Sequence, residues 1–341
     1  MSSTPTQRLS SRVLSRIPLT LLRSIVRVPL IVPYYHMISD DDVWHVKHLY
    51  AYKDVRRFTN DLEFLLRSYS PIDLLELLAH MREGRSLPPN AFLLTFDDGF
   101  REMLDVVAPI LIAKGVRATF FVNSDFIDNA RLCYLNKASV LVEHLRRSRS
   151  DSMRASMSSI LRARGITSDD PEAGILSVRY RQRDVLDEIA RAAEVDFDEY
   201  LRLNRPYLTT GDIQQLIASG FGIGGHSVDH PLYALLPLDE QIRQTVESVT
   251  EVRRRFELPY GAFAFPHGDH KVSREYFERI AESGLVDVSF GTAGLLNDCV
   301  PNHIQRINLE NPPEPAQRTV AFQHARRLGK MMTTHATIAR Q

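Results

Sequence analysis

Seven short apolar runs alternate with longer amphipathic stretches along this chain, and that alternation constrains its fold more than any other feature. The runs are Ile31–Tyr35, Ala91–Phe96, Ala118–Val122, Phe221–Gly224, Ala262–Phe265, Val286–Phe290 and His303–Ile307. Between them, helical periodicity runs over Val55–Leu66, Ile72–Met81, Glu102–Lys114, Thr210–Ala218, Leu238–Phe256 and Ser273–Ser283. Strands that alternate with helices imply parallel strands joined by crossover helices. Seven such strands suit a closed or nearly closed barrel better than a small open sheet. Thr209 and Thr210 ahead of Asp212 form an N-cap region, and Gly115 and Gly220 stand where helix-ending glycines belong.

Residues 127–205 interrupt the alternation. They carry many Arg and Ser residues, no strand signal, and helical stretches near Ala138–Arg147, Met153–Arg164 and Arg183–Ala193. This segment reads as a helical insertion between two core strands. The chain divides into a basic N-terminal arm (1–29), a main domain (30–313) holding that insertion, and a polar, basic C-terminal tail expected as a loose helix (314–341).

The arm is unusual. Before Asp40 the chain has five arginines, Arg8, Arg12, Arg16, Arg23 and Arg27, and no acid. On a helix these fall within an arc of about 100°, with Leu14, Ile17, Leu21, Ile25 and Val28 on the other side. Such a helix can lie on an anionic membrane surface. It can also dock on the main domain, and its composition resembles a transit peptide. Pro18 breaks it unless a second helix starts there. The longest apolar stretch nearby, Val28–Tyr35, contains Pro29 and Pro33 and is too short to span a bilayer. No export signal is evident, so the expected location is cytoplasmic, with peripheral membrane contact through the arm. The formal net charge is zero, without the basic excess of a nucleic-acid binder. Two distant cysteines, Cys133 and Cys299, make neither a disulfide framework nor a thiolate metal site.

Two clusters carry chemistry. In Leu94-Thr95-Phe96-Asp97-Asp98-Gly99, an apolar strand ends in adjacent carboxylates. Barrel enzymes place catalytic groups at such strand ends, and a cation removes the repulsion between neighbouring acids. In Gly224-Gly225-His226-Ser227-Val228-Asp229-His230-Pro231, two histidines stand four apart after another strand, sharing one face if the segment turns helically. Asp229 reads as a capping or supporting acid. Two histidines and one carboxylate form a facial metal set with open positions, suited to zinc, cobalt or iron(II).

The "TFDDG" of residues 95–99 with the "HSVDH" of 226–230 resembles the polysaccharide deacetylases of the NodB-homology group, carbohydrate esterase family 4. The resemblance spans about Leu30–Leu309, apart from the insertion. It implies a distorted (β/α) barrel, a divalent metal (zinc first) on Asp98, His226 and His230, and Asp97 as general base. The implied activity is removal of an N-acetyl or other acyl group from an amino sugar, in a polysaccharide or its precursor. The third family motif is matched by Ala264-Phe265-Pro266-His267-Gly268, with alanine where arginine is usual. Pro266 and His267 thereby become substrate-binding candidates, and Arg306 on the last strand a substitute for the missing arginine. The family's late Leu-x-His has no match in Ile307-Asn308-Leu309, so the general acid falls to His36 in "YYHMISD" or to His267. Two other readings stay open: a binding module that keeps the metal pocket without turnover, and an iron oxygenase using the same two-histidine, one-carboxylate set.

Overall fold

The computed structural model describes residues 18–310, 313–332 and 336–341. Its strands, in chain order, are β1 (Leu30–Ile31), β2 (Pro33–Tyr35), β3 (Ser70–Pro71), β4 (Ala91–Phe92), β5 (Leu94–Phe96), β6 (Ala118–Val122) and β7 (Gly222–Gly225). They continue with β8 (Ala262–Ala264), β9 (Val288–Gly291), β10 (Asn297–Asp298), β11 (His303–Gln305), β12 (Ile307–Asn308) and β13 (Thr337–Ile338). Eight of them form a nearly closed parallel barrel in the order β11-β9-β8-β7-β6-β5-β2-β12. The fold is the nearly closed barrel that the alternation suits and the distorted (β/α) barrel that the resemblance implies.

The barrel has eight strands where about seven were expected, because the last apolar run is divided at Arg306. Its first half, β11, pairs with β9, and its second half, β12, pairs with β2 at the opposite edge. One chain segment thus bridges the two edges of the sheet. The runs Ile31–Tyr35 and Ala91–Phe96 are divided in a similar way. Their first halves, β1 and β4, leave the barrel and pair with each other, and β4 also pairs with β3 in a small parallel sheet.

Local chemistry sets the helix ends. Thr209 and Asp212 make a reciprocal capping box at the start of Thr210–Ala218, and Asp73 and Glu76 make another before Leu74–Glu83. Gly115 and Gly220 close their helices at φ 68° and 85°.

The insertion folds into five α-helices: Tyr134–Ser148, Asp151–Ala163, Pro171–Leu176, Asp184–Ala192 and Phe197–Asn204. It builds its own apolar core from Leu141, Leu145, Met157, Leu186 and Ile189, which also packs on Met37 and Val46 from the loops after β2. Burial of these side chains stabilises a second packed layer over one end of the barrel.

The chain ends depart from expectation. Residues 1–17 of the basic arm, with Arg8, Arg12, Arg16, Leu14 and Ile17, lie outside the described residues. A helix does start at Pro18, over Leu19–Val26, but it packs through Leu22 and Val26, and Leu21 and Ile25 stay exposed. The segment after Glu314 is not a loose tail. Its helix Ala316–Met331 packs on Leu19–Val26 and on Val55–Ser68, with Ala316 and Val320 buried, and β13 then pairs with β10. Among the described residues no helix is long and apolar enough to cross a membrane.

Candidate active site

The site lies at the C-terminal ends of the barrel strands. Asp97 and Asp98 follow β5, and the chain turns sharply there because Asp98 and Gly99 both adopt positive φ, 73° and 67°. At Gly99 a side chain would also press on Val122, with a Cβ 2.9 Å from its Cγ1. His226 and His230 follow β7. Their segment is not helical, so the condition for a shared helix face is not met. Ser227 and His230 instead take positive φ, 70° and 64°, and the His230 N–H donates to Ser227 Oγ at 3.0 Å. Asn123, at the end of β6, ties this loop down by donating from Nδ2 to the His226 carbonyl and to Ser227 Oγ.

Asp98 Oδ1 lies 3.1 Å from His230 Nε2 and 3.5 Å from His226 Nε2. One ligand atom from each of the three residues falls within 4.8 Å of the others. His226 Nδ1 donates to the Ala264 carbonyl at 2.8 Å, so its Nε2 turns a lone pair toward Asp98. Burial pushes the His226 imidazole down to about 4, which keeps it neutral. Asp98 Oδ1 and His226 Nε2 are both buried and have no hydrogen-bond partner. Two facing acceptors without a proton between them repel, and buried polar groups left without partners are rare. A divalent cation resolves both problems, and a neutral imidazole fixed through its other nitrogen is the form that ligates. The donor set therefore fits a metal.

Asp97 is held from the far side. Arg306 Nη1 and Nη2 donate to its two carboxylate oxygens at 2.7 Å each. Arg306 itself is fully buried, with further bonds to the Thr95 hydroxyl and the Gly291 carbonyl and a stacking contact with Tyr34. Burial pushes the Asp97 carboxyl up, but the Arg306 guanidinium and His226 outweigh it and hold the group below the usual carboxylate range.

His36 follows β2 and lines the same cavity as Asp97 and Asp98. Its Nδ1 is paired with Glu310, which lies just past β12 and also accepts from the backbone N–H groups of His36 and Met37. Burial pulls the His36 imidazole down, yet Glu310 outweighs it and raises the group to about 9. His36 is thereby kept protonated at neutral pH.

The remaining assignments divide. His267 lines the cavity with its ring centroid 4.5 Å from that of His230. Pro266 does not line the cavity; it is buried, and its carbonyl accepts from the Gly268 N–H. Asp229 is not part of the Asp98, His226 and His230 group; it accepts from the Tyr180 hydroxyl and Gln244. A second acid–histidine group, Asp269, Asp298 and His303, already contains the Arg340 guanidinium, which bonds both carboxylates. Glu310 and Asn123 were missed. Glu310 stands in the Ile307-Asn308-Leu309 context where a late histidine was sought, and an acid at a strand end was the available signal.

The cavity measures about 1610 Å³, above the range of about 300–1,000 Å³ usual for a small-molecule pocket. The insertion supplies part of its wall through Cys133, Leu135 and Leu176, and the C-terminal helix another part through Arg318 and Phe322.

A polysaccharide deacetylase family profile matches residues 84–286. The match holds Asp97, Asp98, His226 and His230, and stops short of Arg306 and Glu310. It covers more than half of the chain, which therefore belongs to the polysaccharide deacetylase family, whose members hydrolyse acyl bonds. Solved structures share the fold. The Streptococcus pyogenes deacetylase PplD, determined in complex with acetate, is 13% identical with a TM-score of 0.54, over 85% of this chain and 96% of that one. IcaB from Ammonifex degensii is 15% identical with a TM-score of 0.52, over 86% and 97%. A de-N-acetylase from Aggregatibacter actinomycetemcomitans is 14% identical with a TM-score of 0.54, over 86% and 99%. No curated protein matches the chain.

Proposed function

We propose that this chain is a metal-dependent hydrolase that removes an N-acetyl, or other acyl, group from an amino sugar in a polysaccharide or its precursor. The observation that carries this reading is the pair of buried, facing acceptors, Asp98 Oδ1 and His226 Nε2, beside His230 and one residue from the Arg306-held Asp97. A divalent cation there, zinc or else cobalt or iron(II), would polarise the acyl carbonyl and lower the pKa of water at the site. Asp97, kept ionised and oriented by Arg306, takes the proton of the attacking water. His36, kept protonated by Glu310, gives a proton to the departing amine. The products are a free amine and a carboxylate. The bidentate Asp97–Arg306 pair favours hydrolysis over the oxygenase reading, which has no task for a second, separately oriented acid.

The test is acetate release from N-acetylated oligosaccharides and sugar nucleotides, by wild type and Asp97→Asn, after metal stripping and return of Zn²⁺ or Co²⁺. We expect release that depends on the metal and is lost in Asp97→Asn. Metal retention with no release from any substrate would favour the binding module. Oxygen consumption with Fe²⁺ would favour the oxygenase.

A further inference from the structure

The zero net charge conceals a strong separation. Residues 1–39 hold Arg8, Arg12, Arg16, Arg23 and Arg27, and residues 315–341 hold Arg318, Arg326, Arg327, Lys330 and Arg340. Neither segment contains an acid, so ten of the 42 basic residues and none of the 42 acidic ones lie at the two ends. The middle of the chain carries the balancing negative excess.

The fold joins these ends. The helix Leu19–Val26 packs on the helix Ala316–Met331 and buries Leu22 and Val26, while Arg23 sits over the Tyr69 ring. On its other side Leu21 and Ile25, one turn apart, are 51% and 49% exposed. Met331 and Met332, where the C-terminal helix ends, are also exposed. That helix lines the catalytic cavity with Arg318, Thr319 and Phe322. The ends therefore combine exposed apolar side chains with cationic ones beside one wall of the cavity, the Arg340 side chain being buried on Asp269 and Asp298 and Arg318 paired with Glu314.

We propose that these paired end helices form a docking surface for an anionic lipid bilayer. Apolar side chains on a basic helix enter the headgroup and acyl boundary, and the arginines meet the negative surface potential. A second copy of the chain is a poorer occupant, since a twofold interface would set one basic patch against its equal. Docking in this way would hold the cavity wall at the membrane, so the amino sugar would be one carried on a lipid. Only that last step rests on the hydrolase reading; the surface itself does not.

The experiment is co-sedimentation of the full chain with vesicles of phosphatidylcholine alone and of phosphatidylcholine mixed with phosphatidylglycerol. We expect binding to the mixed vesicles only, weakened by added salt. Leu21→Glu/Ile25→Glu should lower it by about tenfold or more, and Arg8→Gln/Arg12→Gln/Arg16→Gln should lower it as well. Thermal unfolding matching wild type establishes that both variants are folded. The proposal is overturned if the mixed vesicles bind no protein, or if both variants bind them as wild type does. A concentration-dependent dimer abolished by Leu21→Glu/Ile25→Glu would also overturn it, in favour of the second copy.

Discussion

Arg306 holds Asp97 through two parallel hydrogen bonds of 2.7 Å, across a sequence separation of 209 residues. The pair is almost wholly buried, so neither charge can be relieved by water if the other is removed.

Arg306→Ala should therefore leave the Asp97 carboxylate buried without its main counter-charge. Burial alone then acts on the group and raises its pKa, so the acidic limb of the kcat/KM profile should move to higher pH. The stability loss expected from breaking a buried pair is about 3–5 kcal/mol, read by urea unfolding. Arg306→Lys keeps a charge without the two-pronged geometry and should fold better while still losing rate. An Arg306→Ala enzyme with an unmoved acidic limb would remove Arg306 from any role in setting the base.

Glu310→Gln should act at the opposite end of the pH range. Glu310 raises His36 from 6.5 to about 9. A raised histidine stabilises the fold fully below its ordinary pKa and loses that contribution as pH rises through about 9. In the variant the basic limb of the pH–rate profile should shift to lower pH, with kcat falling more than KM rises. His36→Gln should abolish that limb; retention of it would assign the acid elsewhere, with His267 the next group to test.

Arg340→Ala tests the C-terminal anchor. Its guanidinium bonds Asp298 at 2.6 and 2.9 Å and also pairs with Asp269. Burial pushes the Asp269 carboxyl up, but His303, Gln305 and Arg340 outweigh it and hold the group well below the usual carboxylate range. A depressed carboxylate adds stability above its ordinary pKa and loses it as pH falls. Wild type should therefore lose stability progressively on acidification, and Arg340→Ala should start about 3–5 kcal/mol lower at neutral pH. Because Asp269 lies in the loop that carries His267, the variant should also raise KM. Melting temperatures across the acid range and steady-state kinetics read both effects, and a variant as stable as wild type would refute the anchor.

The barrel was readable because each buried parallel strand is a bare apolar run and each crossover helix keeps its own period. Asp97, Asp98, His226 and His230 were readable because they are close in sequence to strand ends. What was hidden depends on long-range geometry. Arg306 is one residue inside an apolar run, and nothing local reveals that the strand divides there. Glu310 has meaning only beside His36, which is 274 residues away. Whether the histidine pair turns helically was not readable either: Ser227 and His230 take positive φ instead. Which face of the first helix is buried could not be read locally, because the partner that selects it, Ala316–Met331, lies at the other end of the chain.

The segment His303–Asn308 joins the two edges of the barrel, with Arg306 between its halves and Glu310 just beyond. Closing the sheet and supplying both orienting groups are consequently one folding event. Before that segment docks, Asp97 has no guanidinium and His36 no carboxylate, so on the proposed reading a partly folded chain would be catalytically silent even where Asp98, His226 and His230 have met. On the proposed reading, hydrolytic competence would then appear together with closure of the barrel and not before it.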